Sequence, residues 1–341
     1  MSLPTPLQMM GAPGSPYSRK MRSLLRYRRI PYVFILQNSR EAAKLPGAKV
    51  PLLPTFYLPE GDGIVPVTDS TPLIRRFEAA FEGRSVVPPD PALAFLDELL
   101  EDYADEWLTK SMFHYRWYHT ADATKARRVL PHWAMTDVSD AKIAPIQQMI
   151  GDRQIGRLGV VGSNEVTAAV IEESYARFLT VFDAQLQKSR FLFGQRPASS
   201  DFALMGQLTC LALFDPTPAS LTADRAPRVY GWTEVMEDLS GMEVGDEDWV
   251  DPDDLSASIR DLLGEVGRYH APFLLANADA LERGADQLET EIAGKPWVQK
   301  PFPYQGKCLA WLRESYAGLD VGARATVDGL LDGTGCERLF Q

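Results

Sequence analysis

Gly14-Ser15-Pro16-Tyr17-Ser18-Arg19-Lys20 lies between an apolar run, Leu7-Gln8-Met9-Met10, and a helical pattern that places Met21, Leu24 and Leu25 on one face. The order reads as strand, tight loop and helix start. The first amide N–H groups of a helix lack intrahelical partners, and the peptide dipoles add up there, so a helix start holds anions. Ser15 stands at the mouth of this helix. Pro16 is just inside it, where a missing N–H costs nothing. A hydroxyl and free amides aimed at one spot suit a thiolate, a carboxylate or a phosphate. Ser15 also satisfies the requirements of a plain N-cap, for which serine is favoured.

Outward from this loop the patterns keep alternating. Ile30-Pro31 ends the helix, and Tyr32 to Leu36 is a run of β-formers. A Lys-, Pro- and Gly-containing segment, Lys44 to Val50, comes next. Thr55-Phe56-Tyr57-Leu58 and Ile64-Val65-Pro66-Val67 then flank Pro59-Glu60-Gly61-Asp62-Gly63, a hairpin signal. Asp69-Ser70-Thr71-Pro72 starts a helix that carries Leu73, Ile74, Phe77 and Phe81. The order β-α-β-(α or loop)-β-β-α suits a small α/β domain. Ser85 to Pro91 is a Pro-rich joint. Beyond it the stripes are helical: Leu96, Leu99, Leu100, Tyr103 and Trp107, then Ile171, Tyr175, Phe178 and Phe182. Phe202 to Phe214 is apolar on nearly every face and is expected to be central. No strand signal of comparable strength follows Asp90. Gly241 to Asp254 is acidic and reads as a solvated linker. From Leu255 onward helical spacing returns.

The chain has 341 residues, 45% apolar and 24% charged, with a formal charge of −11. That balance belongs to a soluble globular protein and argues against nucleic acid or an anionic membrane as partner. No apolar run approaches the roughly 20 residues of a membrane helix, and no secretory signal is expected, so a cytoplasmic location is expected. The three cysteines, Cys210, Cys308 and Cys336, are far apart and fit a reducing compartment. His114 and His119 are five apart, a spacing that a continuous helix does not bring to one face. No metal site is expected.

The chain resembles a glutathione transferase. Gly14 to Lys20, followed by Arg29-Ile30-Pro31-Tyr32, looks like the first strand–helix unit of the serine-type members, notably the plant tau class. Val50-Pro51-Leu52-Leu53-Pro54-Thr55 resembles the cis-proline loop, with Pro51 and Pro54 competing and Pro54 leaving the hairpin nearer the family length. Asp69-Ser70 resembles the acid–serine pair that holds the γ-glutamyl end of glutathione. Pro197 to Leu208 resembles the buried helix of the second domain, with Asp201 capping it and Ala198 where a Ser or Thr is usual. The likeness runs from Thr5 to Ser240. It implies a thioredoxin-like domain over residues 5–84 and an all-helical domain over 91–240. Residues 253–341 are left as an additional helical extension without counterpart.

The resemblance also implies a chemistry. Ser15 would donate a hydrogen bond to the sulfur of glutathione and stabilise its thiolate. Tyr17, Lys49, Leu53, Pro54, Asp69 and Ser70 would contact the tripeptide, with Lys44 and Arg40 as other partners for the glycyl carboxylate. Trp107, Ser111 and Tyr115 follow helical spacing and would line a pocket for a small hydrophobic electrophile; an aromatic stripe of this kind also suits a core. A cysteine is absent from the Ser15 position, which excludes disulfide exchange through a protein thiol there. The expected function is glutathione conjugation in a cytoplasmic homodimer, with glutathione as co-substrate. The alternatives are a non-catalytic glutathione- or protein-binding module whose extension carries the function, and a glutathione-dependent lyase or isomerase.

Overall fold

The computed structural model describes residues 3–61 and 63–341; Met1, Ser2 and Asp62, the last inside the expected hairpin turn, lie outside them. The first strand β1 (Leu7–Gly11) leads into helix α1 (Pro16–Tyr27) and strand β2 (Tyr32–Leu36). Strands β3 (Thr55–Glu60) and β4 (Gly63–Val67) form the hairpin, and helix α2 (Ser70–Ala80) closes the unit. The sheet order is β2-β1-β3-β4, with β1 parallel to β2 and antiparallel to β3. Between β2 and β3 there is one 3₁₀ turn, Ala42–Lys44, none of it buried. That stretch has too few apolar residues to hold a longer helix against the sheet. The Leu53–Pro54 bond is cis, which resolves the choice between the two prolines.

After the Pro-rich joint the chain is helical. Helix α3 (Pro91–Asp102) runs through a π-type segment, Tyr103–Leu108, into α4 (Thr109–Tyr118). Helices α5 (Thr120–Val129), α6 (Asp140–Ile155), α7 (Ala168–Leu186), α8 (Ser199–Leu208), α9 (Pro216–Arg225) and α10 (Pro227–Val235) follow. Every residue of α8 is buried, as its all-round apolar pattern requires. Its close approach to α1 depends on Gly206, where a Cβ would fall 2.6 Å from the Pro16 carbonyl oxygen. Asp201 accepts from the Ala198 N–H at 2.9 Å and the Leu192 N–H at 3.1 Å. Alanine at 198 cannot return the bond, so only half of a capping box forms.

The extension is not purely helical. Helix α11 (Ala257–Glu265) and helix α12 (Ala271–Glu282) are followed by a hairpin of β5 (Leu288–Ile292) and β6 (Lys295–Gln299). Helices α13 (Pro303–Gly318) and α14 (Val321–Leu331) come last. The hairpin corrects the expectation that strands end before Asp90. Ala293 and Gly294 turn it with φ of 53° and 73°, and Leu288, Ile292 and Trp297 face inward. The acidic stretch Gly241–Asp254 also differs from a solvated linker. Gln195 N–H donates to the Asp248 carbonyl, Val250 N–H to Phe193, and the Arg196 guanidinium lies 4.6 Å from the Trp249 ring centroid. The apolar residues Met242, Val244 and Trp249 anchor the acidic ones against the core.

A large core runs through all the parts, with a small separate cluster around Trp117, Ala123 and Ala126. Trp107 is 1% exposed and sits between Tyr269, stacked at 5.9 Å, and Trp297 at 5.3 Å, both from the extension. Burying a residue of that size removes about 150–250 Å² from water, worth about 4–6 kcal/mol.

Candidate functional site

The loop before α1 is held by its carbonyls. The Ala12 carbonyl accepts from Ser15 N–H at 3.0 Å, Pro13 from Arg19 Nε at 2.9 Å and Gly14 from Arg116 at 3.0 Å. Arg116 is itself fixed by Asp215 at 2.9 Å. With its acceptors tied, the loop presents donors. Ser15 is the N-cap, with φ −92° and ψ 120°, and its Oγ accepts from Ser18 N–H at 3.2 Å. Its own O–H donates to no other group among the described residues, and neither does the Tyr17 N–H. These are the two free donors of the helix start, and Ser15 is half-buried.

The cis-proline loop supplies the neighbouring edge. Thr55 Oγ1 donates to the Leu52 carbonyl at 2.7 Å. The N–H and C=O of Leu53 have no protein partner among the described residues. Pro54 is buried, Leu53 half-buried and Lys49 exposed, with no hydrogen bond from its side chain among the described residues. A backbone edge of this kind can pair with a peptide.

At the start of α2 the groups are already engaged. Ser70 is buried and its Oγ accepts from Lys20 Nζ at 3.2 Å. Asp69, at φ 83°, accepts from the Tyr304 hydroxyl of α13 at 3.0 Å. Burial raises the Asp69 carboxyl, and the Tyr304 bond opposes this. Tyr304 is pushed up by burial and by Cys308 and Asp69 beside it, so it is a neutral donor. Tyr17 points away from the loop: its hydroxyl donates to the Asp105 carbonyl at 2.7 Å, and burial raises its pKa well above the usual value.

Sequence reading treated Lys20 only as part of the motif, yet it is fully buried. Its Nζ meets Glu101 at 2.7 Å and Asp105 at 2.6 Å. Burial alone would raise Glu101, but Lys20 and Arg75 outweigh it and its pKa lies below the usual range. Asp105 moves up, through burial and the Glu101 charge, because one ammonium cannot balance two carboxylates. Charges so deep in the molecule persist only when paired, so these contacts lock α1 to α3 and the segment after it.

The expected electrophile pocket differs from its placement in the structure. Trp107 and Ser111 are inaccessible, and Tyr115 is 4% exposed. Trp107 Nε1 donates to Ser174 at 3.2 Å, and Tyr115 packs edge-on against Tyr175. Sealed under the extension and α7, they present no open surface. An open cleft of about 290 Å³ lies instead beside the loop, lined by Pro13, Gly14, Arg19, Arg116, Cys210 and Phe214 among others. Its Arg residues gave no sequence signal, because their partners Glu237 and Asp215 lie far along the chain. Another correction concerns His114 and His119. Helix α4 ends at Tyr118 and His119 is extended, with ψ 131°, so both imidazoles reach Glu172 on α7.

The described residues contain no helix long and apolar enough to cross a membrane. No curated protein matches the sequence. The fold is similar to several solved structures at low identity. One is a glutathione S-transferase of Methylobacterium radiotolerans in complex with glutathione sulfonate, 16% identical, covering 68% of this chain and 90% of that one, with a TM-score of 0.41. Others are the β-etherase LigF of Sphingobium sp. strain SYK-6 (16%, 67% and 94%, TM-score 0.47) and a tau class glutathione S-transferase of mango, Mangifera indica (16%, 71% and 94%, TM-score 0.41). Residues 9–85 match the family model of the glutathione S-transferase N-terminal domain. Residues 9–85, with their thioredoxin-like sheet, are thus a domain of the glutathione S-transferase N-terminal type, and a largely helical region follows it.

Proposed function

We propose that this protein binds glutathione at the α1 start and conjugates it to a small electrophile. The observation that carries the reading is the pair of free donors, the Ser15 hydroxyl and the Tyr17 N–H, beside the unpaired Leu53 backbone. A thiol of reference pKa roughly 8.5 is mostly protonated at neutral pH, and its thiolate is the nucleophile. A hydroxyl hydrogen bond to the sulfur anion is worth about 1.5 kcal/mol, and the helix start adds a fraction more. That is enough to lower the pKa by about one unit. Ser15 keeps its own proton. The thiolate then forms a C–S bond at the electrophilic carbon, and either a leaving group departs with its electron pair or the adduct takes a proton from water. Leu53 would pair with the cysteinyl backbone and Lys49 would meet the glycyl carboxylate. The electrophile is small and hydrophobic, and the chain pairs as a homodimer.

A second reading has its own support, the Tyr304 bond to Asp69. It fills the place a γ-glutamyl ammonium would take. On that reading the extension closes the site and the protein is a non-catalytic binding module. Calorimetric titration of glutathione across pH, with Ser15→Ala beside the wild type, tests the proposal. Binding by both, with the thiol pKa lowered only in the wild type, supports it. Absence of binding at millimolar glutathione overturns it in favour of the second reading.

A further inference from the structure

Three side chains from separate elements converge on the far end of α4. His114 Nε2 lies 3.2 Å from Glu172 Oε1, and His119 Nε2 lies 3.1 Å from the same oxygen. All three ligand atoms fall within 4.8 Å of one another. A four-coordinate zinc ion, with bonds of about 2.0–2.2 Å, sets its ligand atoms roughly 3.3 Å apart. The two nitrogen-to-carboxylate separations match the edges of such a polyhedron, and the nitrogen-to-nitrogen one lies within 4.8 Å.

The arrangement around these ligands is that of a braced site. His114 Nδ1 is 2.8 Å from Ser163 Oγ, which fixes the ring; Nε2 is within hydrogen-bond distance of Glu172 Oε1, and with the proton on Nδ1 donated to Ser163 its lone pair is free for an ion beside that oxygen. Metal-bound imidazoles characteristically use the second nitrogen in this way. Tyr118 stacks on His114 at 4.5 Å, and Tyr115 stacks on His119 at 5.4 Å, so both rings are set by packing. The His119 Nε2 atom is buried and makes no hydrogen bond, despite its distance from the carboxylate. That nitrogen is left available to a ligand beside the carboxylate. His114 is wholly buried, while the Glu172 and His119 side chains are 41% and 29% exposed. The ion would therefore have an entry path and an open coordination position toward solvent.

We propose that His114, His119 and Glu172 form a binding site for a divalent transition metal of the zinc type. Two imidazoles and one carboxylate suit zinc, cobalt or nickel, and calcium or magnesium would prefer an all-oxygen set. Bound there, the ion pins the α4–α5 junction to α7.

The test uses the untagged full chain, freed of metal by a chelator that is then removed. Titration with zinc by calorimetry, and with cobalt by visible absorption, is expected to show one ion per chain and the intense bands of a low-coordinate cobalt centre. Glu172→Gln and His119→Asn change half-exposed positions and leave the core intact, which far-UV circular dichroism checks. Each is expected to weaken zinc at least tenfold, and Ser163→Ala to weaken it by about tenfold through the lost brace. Zinc should raise Tm in the wild type and not in the double variant. Failure of wild type to take up cobalt or zinc overturns the proposal. So does stoichiometric binding that survives in the double variant, which would place the ion elsewhere.

Discussion

Tyr304 donates a 3.0 Å hydrogen bond to Asp69 across 235 residues of chain. The acceptor belongs to the thioredoxin-like unit and the donor to the extension. The contact is supported from behind: Asn277 of α12 both donates to and accepts from the Phe302 backbone, just before α13. Gln305 donates to the Glu106 carbonyl at 3.2 Å. Helix α13 is thus a fixed wall beside the α2 start.

If that wall competes with glutathione, removing the phenol must tighten binding. Tyr304→Phe is expected to cost about 1.5–3 kcal/mol of stability, the worth of a hydrogen bond to a charged acceptor. Tyr304→Ala, which also clears the ring, is expected to strengthen glutathione binding roughly tenfold by calorimetry. Equal affinity in Tyr304→Ala and wild type would show that the phenol does not compete.

A pH signature is expected from Asp97. It is buried, accepting from Ser199 Oγ at 2.6 Å and Ser200 N–H at 2.8 Å, and burial pushes its carboxyl up to about 6 against the pull of Arg75. The unfolded chain releases this proton near the ordinary value of 3.8. Between those values the native state holds more protons than the unfolded one, so this group makes stability fall as pH rises from about 4 to 6. Asp97→Asn keeps an acceptor for Ser200 and cannot ionise. Relative to wild type it should gain about 3 kcal/mol across that window, because a shift of about two units is worth that much. Urea unfolding at several pH values checks this; a gap that does not vary with pH would refute the assignment.

Asp201 gives a stability test of the α8 cap. Asp201→Ala strands two buried amides, Ala198 N–H and Leu192 N–H, at an expected cost of about 2–4 kcal/mol. Asp201→Asn retains one acceptor oxygen and should lose about half as much. A loss below about 1 kcal/mol in Asp201→Ala would mean that water replaces the carboxylate.

The local elements were readable because local chemistry decides them. The strand–loop–helix around Ser15, the β3–β4 hairpin and the buried α8 follow from period, turn residues and caps. What sequence reasoning missed depends on partners far along the chain. Trp107 suits a pocket lining until Trp297 and Tyr269 cover it. Lys20 has no signal beyond its place in the motif, because Glu101 and Asp105, which enclose it, lie 81 and 85 residues later. The β5–β6 hairpin was visible in principle: Leu288 to Ile292 alternates, and Ala293-Gly294 can turn it. Pro296 and the flanking helical stripes masked the signal. For His114 and His119 the five-residue spacing assumed an unbroken helix, and the chain bends between them.

The buried Lys20 bears on how this gene can be rearranged. Its counter-charges come from beyond the Pro-rich joint, and α1 packs against α8 through Gly206. A polypeptide ending at that joint would lose both counter-ions and the Phe202 ring that packs on Tyr27. The thioredoxin-like unit is therefore not a transplantable cassette. Recombination that exchanged it for a relative's unit would have to bring Glu101 and Asp105 along, and the two halves are bound to evolve together.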